Sequence, residues 1–120
     1  MKKTAVLGAS LHPERYSRLA VLRLQEKGHP VVALGIEEGL IGEVPVTTDF
    51  PQHIPDLDTI SLYLNPKRQK EYYSYILGLH PKRIIFNPGT ENPELLAIAE
   101  KEGIETIEAC TLVMLRLGNY

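Results

Sequence analysis

The chain has 120 residues, 43% of them hydrophobic and 23% charged, with nine Gly, nine Pro, one Cys and no Trp. Thirteen Lys and Arg against fifteen Asp and Glu leave a formal charge of −2, which disfavours both a nucleic-acid and a membrane-surface partner. That length suits one domain with a core of its own, so residues 1–120 are read as a single domain.

The first apolar run, Thr4 to Leu7, stops at Gly8 and is too short for a signal peptide or a membrane span, so a cytoplasmic protein is expected. The lone Cys110 has no partner for an internal disulfide. No Cys/His set has zinc spacing, and no metal is expected.

In chain order, short aliphatic runs alternate with longer amphipathic stretches, as in βα units around a parallel sheet. Strands are expected at Thr4 to Leu7, Val31 to Leu34, Thr59 to Leu64, Arg83 to Phe86 and Glu105 to Glu108. Helices are expected at about Glu14 to Lys27, Pro66 to Leu79 and Pro93 to Glu102, with a last apolar helix around Leu112 to Leu117. Asn65-Pro66 and Asn92-Pro93 each set a capping side chain before a proline at the first helical position, where the missing N–H costs nothing. The stretch from Ile36 to Asp58 holds Gly39, Gly42, Pro45, Pro51 and Pro55 and reads as an irregular crossover with at most a short edge strand at Val44 to Thr47. The expected fold is α/β: a three-layer, Rossmann-like domain with about five parallel strands and helices on both faces.

In such sheets ligands bind beyond the C-terminal ends of the strands, near the point where strand order reverses. Four loops occupy that edge: Gly8 to Pro13, Gly35-Ile36, Leu64 to Pro66 and Asn87 to Glu91. Gly8 permits a tight turn, and the small Ala9 and Ser10 let backbone N–H groups approach an anion near the next helix. A plain βα turn would use the same glycine, and both the later glycines of a dinucleotide fingerprint and a Walker lysine are missing. Arg15 offers a planar fork to a phosphate, and Tyr16 and Ser17 offer hydroxyls. Asn87 carries a donor and an acceptor beside Pro88 and Gly89, which would equally suit a simple turn. An open groove beside Gly8 would favour binding, whereas Leu11 or His12 folded into it would argue against.

Ala5 to Ser10, Pro13 to Ser17, Asn87 to Asn92 and Glu108 to Cys110, in that order and spacing, resemble the small stand-alone CoA-binding proteins. These are similar to the CoA-binding domain of succinyl-CoA synthetase and of ADP-forming acyl-CoA synthetases. The resemblance implies an NAD(P)-binding-type fold whose Gly8-Ala9-Ser10 loop holds the CoA pyrophosphate. It also implies that the turn after the second strand packs on the adenosine and that the Asn65 and Asn87 loops flank the pantetheine arm. Many members carry Asn-Pro after the second strand, where this chain has Gly35-Ile36. No segment supplies the additional domains that give the synthetases their chemistry, so the expected role is non-catalytic binding of CoA or an acyl-CoA.

Two other readings stand beside it. An NAD(P)-binding regulator or oxidoreductase would want an acid at the end of the second strand, where Gly35 lies, with Glu37 and Glu38 slightly beyond. A ligand-free interaction domain on the same fold would show an apolar surface and a filled cleft. Cys110 follows the fifth strand on the ligand edge and could approach a CoA thiol, although a buried small hydrophobe is the plainer reading. Tyr72, Tyr73 and Tyr75, with the run from Leu112 to Leu117, are candidates for packing on the sheet or for a homodimer or protein-partner surface.

Overall fold

The computed structural model describes residues 1–120. Seven strands form one sheet: β1 (Thr4–Ala9), β2 (Val31–Gly35), β3 (Leu40–Ile41), β4 (Val44–Thr47), β5 (Thr59–Leu62), β6 (Arg83–Phe86) and β7 (Glu105–Glu108). Their order is β3-β4-β2-β1-β5-β6-β7, parallel throughout except that β3 runs antiparallel to β4. The chain moves outward from β1 through β2 and then returns to β5 on its other side. The strand order therefore reverses at β1, and that reversal opens a crevice at the strands' C-terminal ends.

Alternation along the strands divides the core into two layers. Ala5 and Leu7 of β1, Leu34 of β2, Ile60 and Leu62 of β5 and Ile84 and Phe86 of β6 face one side. They are covered there by α3 (Tyr73–Gly78), through Ile76, and by α4 (Pro93–Lys101), through Leu95 and Ala99. Val6 and Ala33 face the other side, against Val21 and Leu24 of α1 (Tyr16–Glu26) and Leu115 of α5 (Thr111–Leu117). The expected three layers, with helices on both faces, are present.

β1 runs on through Gly8 to Ala9 and β5 stops at Leu62, short of the expected Leu64, and three further elements depart more widely from the expected boundaries. The crossover after β2 is not irregular throughout. Ile41, Val44 and Val46 are buried while Pro45 faces out, and this short alternation folds the β3–β4 hairpin onto β2, so β4 is internal and β3 forms the edge. The stretch from Pro66 to Leu79 is broken into α2 (Pro66–Gln69), a 3-10 turn (Lys70–Tyr72) and α3. The break coincides with two separate anchors. Fully buried Gln69 donates from Nε2 to the carbonyls of Leu64 and Thr90, whereas Tyr72 and Tyr75 pack on Phe50 and the Tyr75 hydroxyl donates to Pro51 O. Finally, α1 begins at Tyr16, so six residues separate Ala9 from the helix, and Arg15 is its extended N-cap residue.

Both Asn-Pro starts behave as their chemistry dictates. Asn65 Oδ1 accepts from Arg68 N at 2.9 Å, and Asn92 Oδ1 accepts from the N–H groups of Glu94 and Leu95. Asn87 does something different. Its Nδ2 donates to Ser61 Oγ and Leu62 O, both at 3.0 Å, and its Oδ1 accepts from Thr111 N at 2.8 Å, while Ser61 and Thr111 share a hydroxyl hydrogen bond of 2.7 Å. This fully buried knot ties β5, the end of β6 and the start of α5 together. Truncation would orphan several buried groups at once, so Asn87→Ala is expected to destabilise the fold by about 3 kcal/mol. A lower urea midpoint with an unchanged slope would be the readout, and a loss under 1 kcal/mol would show that the knot is not structural.

Candidate functional site

A cleft of about 450 Å³ opens at the C-terminal edge of the sheet, over the ends of β1, β2 and β5. Its floor is Leu7, Leu34 and Leu64. Its rim carries Gly8, Ala9, Ser10, Leu11, His12 and Arg15 from the loop after β1, and Gly35, Ile36 and Glu37 after β2. Phe50 from the long crossover and Arg68 and Tyr72 from the α2 region close the remaining side, with Tyr63 just past β5.

Two glycines allow the three strands to end this close together. Gly8 has φ +96°, and a Cβ there would lie 3.0 Å from the backbone carbonyl carbon of Tyr63. A Cβ on Gly35 would overlap the carbonyl oxygen of Ala9, at the point where the β1–β2 register shifts between Leu7 and Ala9. Gly35 is thus explained by strand approach. Leu11, on the cleft rim, packs on Gly39, whose lack of a side chain leaves it room: a Cβ there would come within 2.6 Å of Leu11 Cδ1. His12 is exposed, with Nδ1 4.0 Å from Glu14 Oε1.

The cleft's charged groups are largely uncommitted. Neither the Arg15 nor the Arg68 guanidinium makes a hydrogen bond or ion pair within the protein. At the start of α1 the N–H groups of Tyr16 and Ser17 have no acceptor, no side chain caps the helix, and no acidic residue sits in its first turn. That helix end therefore presents a positive dipole without neutralisation. The Ser10 hydroxyl is already engaged, accepting from His12 N at 3.1 Å, and so shapes the turn.

Of the residues singled out from sequence, Gly8, Ala9, Ser10, Arg15, Gly35 and Ile36 come together around this cleft. Tyr16 and Ser17 stand beside it at the start of α1, the first exposed and the second with its side chain buried. Asn65 and Pro66 start the helix that presents Arg68. Asn87, Pro88, Gly89 and Cys110 do not line the cleft; Asn87 is committed to the buried knot, and Cys110 is the half-buried N-cap residue of α5. Sequence reading passed over Phe50, Tyr63, Arg68 and Tyr72 as cleft residues. Arg68 alone carried a local signal, three residues after a capping asparagine at the end of a strand.

A polar edge, a glycine-lined βα turn and an anion-ready helix start at a topological reversal define a Rossmann-like nucleotide-cofactor fold. The chain belongs to the CoA binding domain family, whose model matches residues 2–116. No curated protein matches it. Among solved structures it is similar to an uncharacterized protein with 46% identity, covering 100% of this chain and 98% of that one at a TM-score of 0.96. It is also similar to a hypothetical protein from Pyrococcus horikoshii OT3, at 28% identity, TM-score 0.82 and coverage of 97% and 83%. A conserved hypothetical protein from Pyrococcus furiosus matches at 26% identity, TM-score 0.79 and coverage of 94% and 98%. No helix is long and apolar enough to cross a membrane.

Tyr63 carries the one buried, unpartnered side-chain polar atom among the cleft residues. Its hydroxyl is buried without a hydrogen-bond partner; the Ser61 and Thr111 hydroxyls, bonded to each other, lie nearby and partly offset the cost of its ionisation. Burial, reinforced by the nearby Cys110, pushes its ionisation well above the usual tyrosine range. Tyr63→Phe is therefore expected to be neutral or to stabilise by up to about 1 kcal/mol near pH 7. The unfolded chain ionises this phenol from about pH 10 while the native one holds its proton, so Tyr63 makes stability fall as pH rises above 10. Urea melts of both proteins at pH 7 and 11 would show a smaller alkaline loss in the variant; a marked destabilisation at pH 7 would mean that the hydroxyl is satisfied.

Proposed function

We propose that the protein binds CoA or an acyl-CoA in this cleft through the diphosphate, and holds the ligand without transforming it. The observation that carries this reading is the pair of uncommitted arginines, Arg15 and Arg68, lining an open cleft beside the unoccupied N–H groups of α1. Leaving two guanidiniums without acceptors in one concavity is what a site for a multiply charged anion requires. In this reading the Gly8-Ala9-Ser10 turn and Arg15 take the pyrophosphate. Gly35 and Ile36 pass along the adenosine. Phe50, Leu64 and Tyr72 give the pantetheine arm an apolar wall, and Asn65 contributes by capping the turn that carries Arg68. Asn87, Pro88, Gly89 and Cys110 hold the neighbouring edge in place. Family membership supports the ligand class, and the Ser10 hydroxyl's role in its own turn supports binding over nucleophilic chemistry.

Calorimetric titration with CoA and acetyl-CoA should show saturable binding that weakens as salt is raised. Arg15→Ala and Arg68→Ala should each weaken it about tenfold, since each removes a charge-assisted contact in a partly exposed site. Absence of heat and of any melting shift at millimolar CoA would overturn the reading. NADH binding tighter than CoA would move the assignment to an NAD(P)-binding protein.

A further inference from the structure

Three basic side chains line the cleft, and they differ in kind. The guanidiniums of Arg15 and Arg68 stay charged at any ordinary pH, whereas the third is His12, and histidine is the side chain whose charge can change between pH 5 and 8. His12 is held by its backbone and not by its ring. Its N–H donates to Ser10 Oγ at 3.1 Å and its carbonyl accepts from Arg15 N at 3.1 Å, so the turn that ends β1 fixes the residue just ahead of α1. The imidazole itself is exposed, and Glu14 Oε1, 4.0 Å from Nδ1, stands beyond hydrogen-bond reach. Both ring nitrogens are therefore open to a ligand. The charged groups that share the cleft with it are Arg15 from its own loop, Glu37 from the loop after β2 and Arg68 from α2.

We propose that His12 is a third cationic contact for the ligand's phosphates, made in its protonated form, so that binding of the ligand and uptake of a proton at His12 are coupled. This rests on the cleft being the diphosphate site proposed above. A neutral imidazole donates from one nitrogen, whereas a protonated one has a second donor and a full charge. Without a ligand, a proton on His12 meets repulsion from Arg15 and Arg68 and attraction from Glu14 and Glu37, which oppose one another. A phosphate set against Arg15 adds negative charge beside the ring and tips that balance towards the imidazolium. Linkage makes the effect reciprocal: the factor by which the ligand favours the proton is the factor by which the proton favours the ligand. One charge-assisted contact in a water-exposed setting corresponds to about tenfold in affinity. The imidazolium's contribution is full at acid pH and is lost as pH rises through the range in which the ligand-bound imidazole gives up its proton. The two arginines supply the binding that remains.

The test is calorimetric titration of the whole protein with CoA at about pH 5.5 and about pH 8.5, for the parent, His12→Gln and His53→Gln, the last an exposed histidine outside the cleft. The phosphomonoester of CoA also titrates in this range, equally for every variant, so the readout is the ratio of parent to variant affinity at each pH. For His12→Gln that ratio is expected to be about tenfold at the acid pH and under about twofold at the alkaline one, and for His53→Gln to stay near one throughout. Titrations near pH 7 in buffers of different ionisation heat should show the parent taking up more protons on binding than His12→Gln does. His12 is exposed and its turn bonds are made by the backbone, so the variant should melt near the parent temperature. A His12→Gln ratio that does not change with pH, or equal proton counts, would overturn the role of His12 and leave the diphosphate site intact. If the parent binds no CoA at either pH, the diphosphate site itself is refuted, and this inference with it.

Discussion

The end of β1 is pressed between two neighbours, and the site hangs from that contact. A side chain at Gly8 would meet the backbone of Tyr63 on one flank, and a side chain at Gly35 would overlap Ala9 on the other. The register shift between Leu7 and Ala9 lets the three strands finish together without collision. Their last apolar residues, Leu7 and Leu34 with Leu64 beyond β5, then form one floor, and the loops that leave them rise as walls. Move any of the three strand ends and Arg15, Glu37 and Arg68 no longer face a common space.

The two sides of the sheet's C-terminal edge have different work. On the β5–β6 side the polar groups are consumed. Asn87 binds Ser61, Leu62 and Thr111, while Gln69 joins Leu64 and Thr90 and accepts from Asn92 at 2.8 Å. Such satisfied buried networks rigidify a loop region and leave nothing over for a ligand. Around the cleft the charges are left free, Arg15 and Glu37 on the β1–β2 side and Arg68 on the α2 that follows β5. A stiff flank beside an unsatisfied one suits the proposed binding role, because it would need little reorganisation to take up a ligand.

The aromatic residues of the α2–α3 region belong to this division too. Phe50 lies 5.8 Å from Tyr72 and 5.4 Å from Tyr75, centroid to centroid, which pins the long crossover to the 3-10 turn and α3 that follow the helix carrying Arg68. The crossover thereby becomes one wall of the cleft.

Much of this could be read along the chain. The central strands are mostly runs of β-branched or aliphatic residues, the helix starts at Asn65 and Asn92 are local capping chemistry, and Gly8 near the end of the first strand marks the ligand edge. These features depend on near neighbours, so the sequence carries them openly. The β3–β4 hairpin was harder to see, since four residues with two buried valines give too short an alternation to stand out until β2 is there to receive them. Asn87-Pro88-Gly89 looked like a ligand loop because the local pattern does not say which way an asparagine points; packing against Ser61 and Thr111 turns it inward. The same limit hid Arg68, Phe50 and Tyr72. Whether a side chain reaches the cleft depends on strand order and on partners far away in sequence, and those contacts exist only once the sheet has closed around β1.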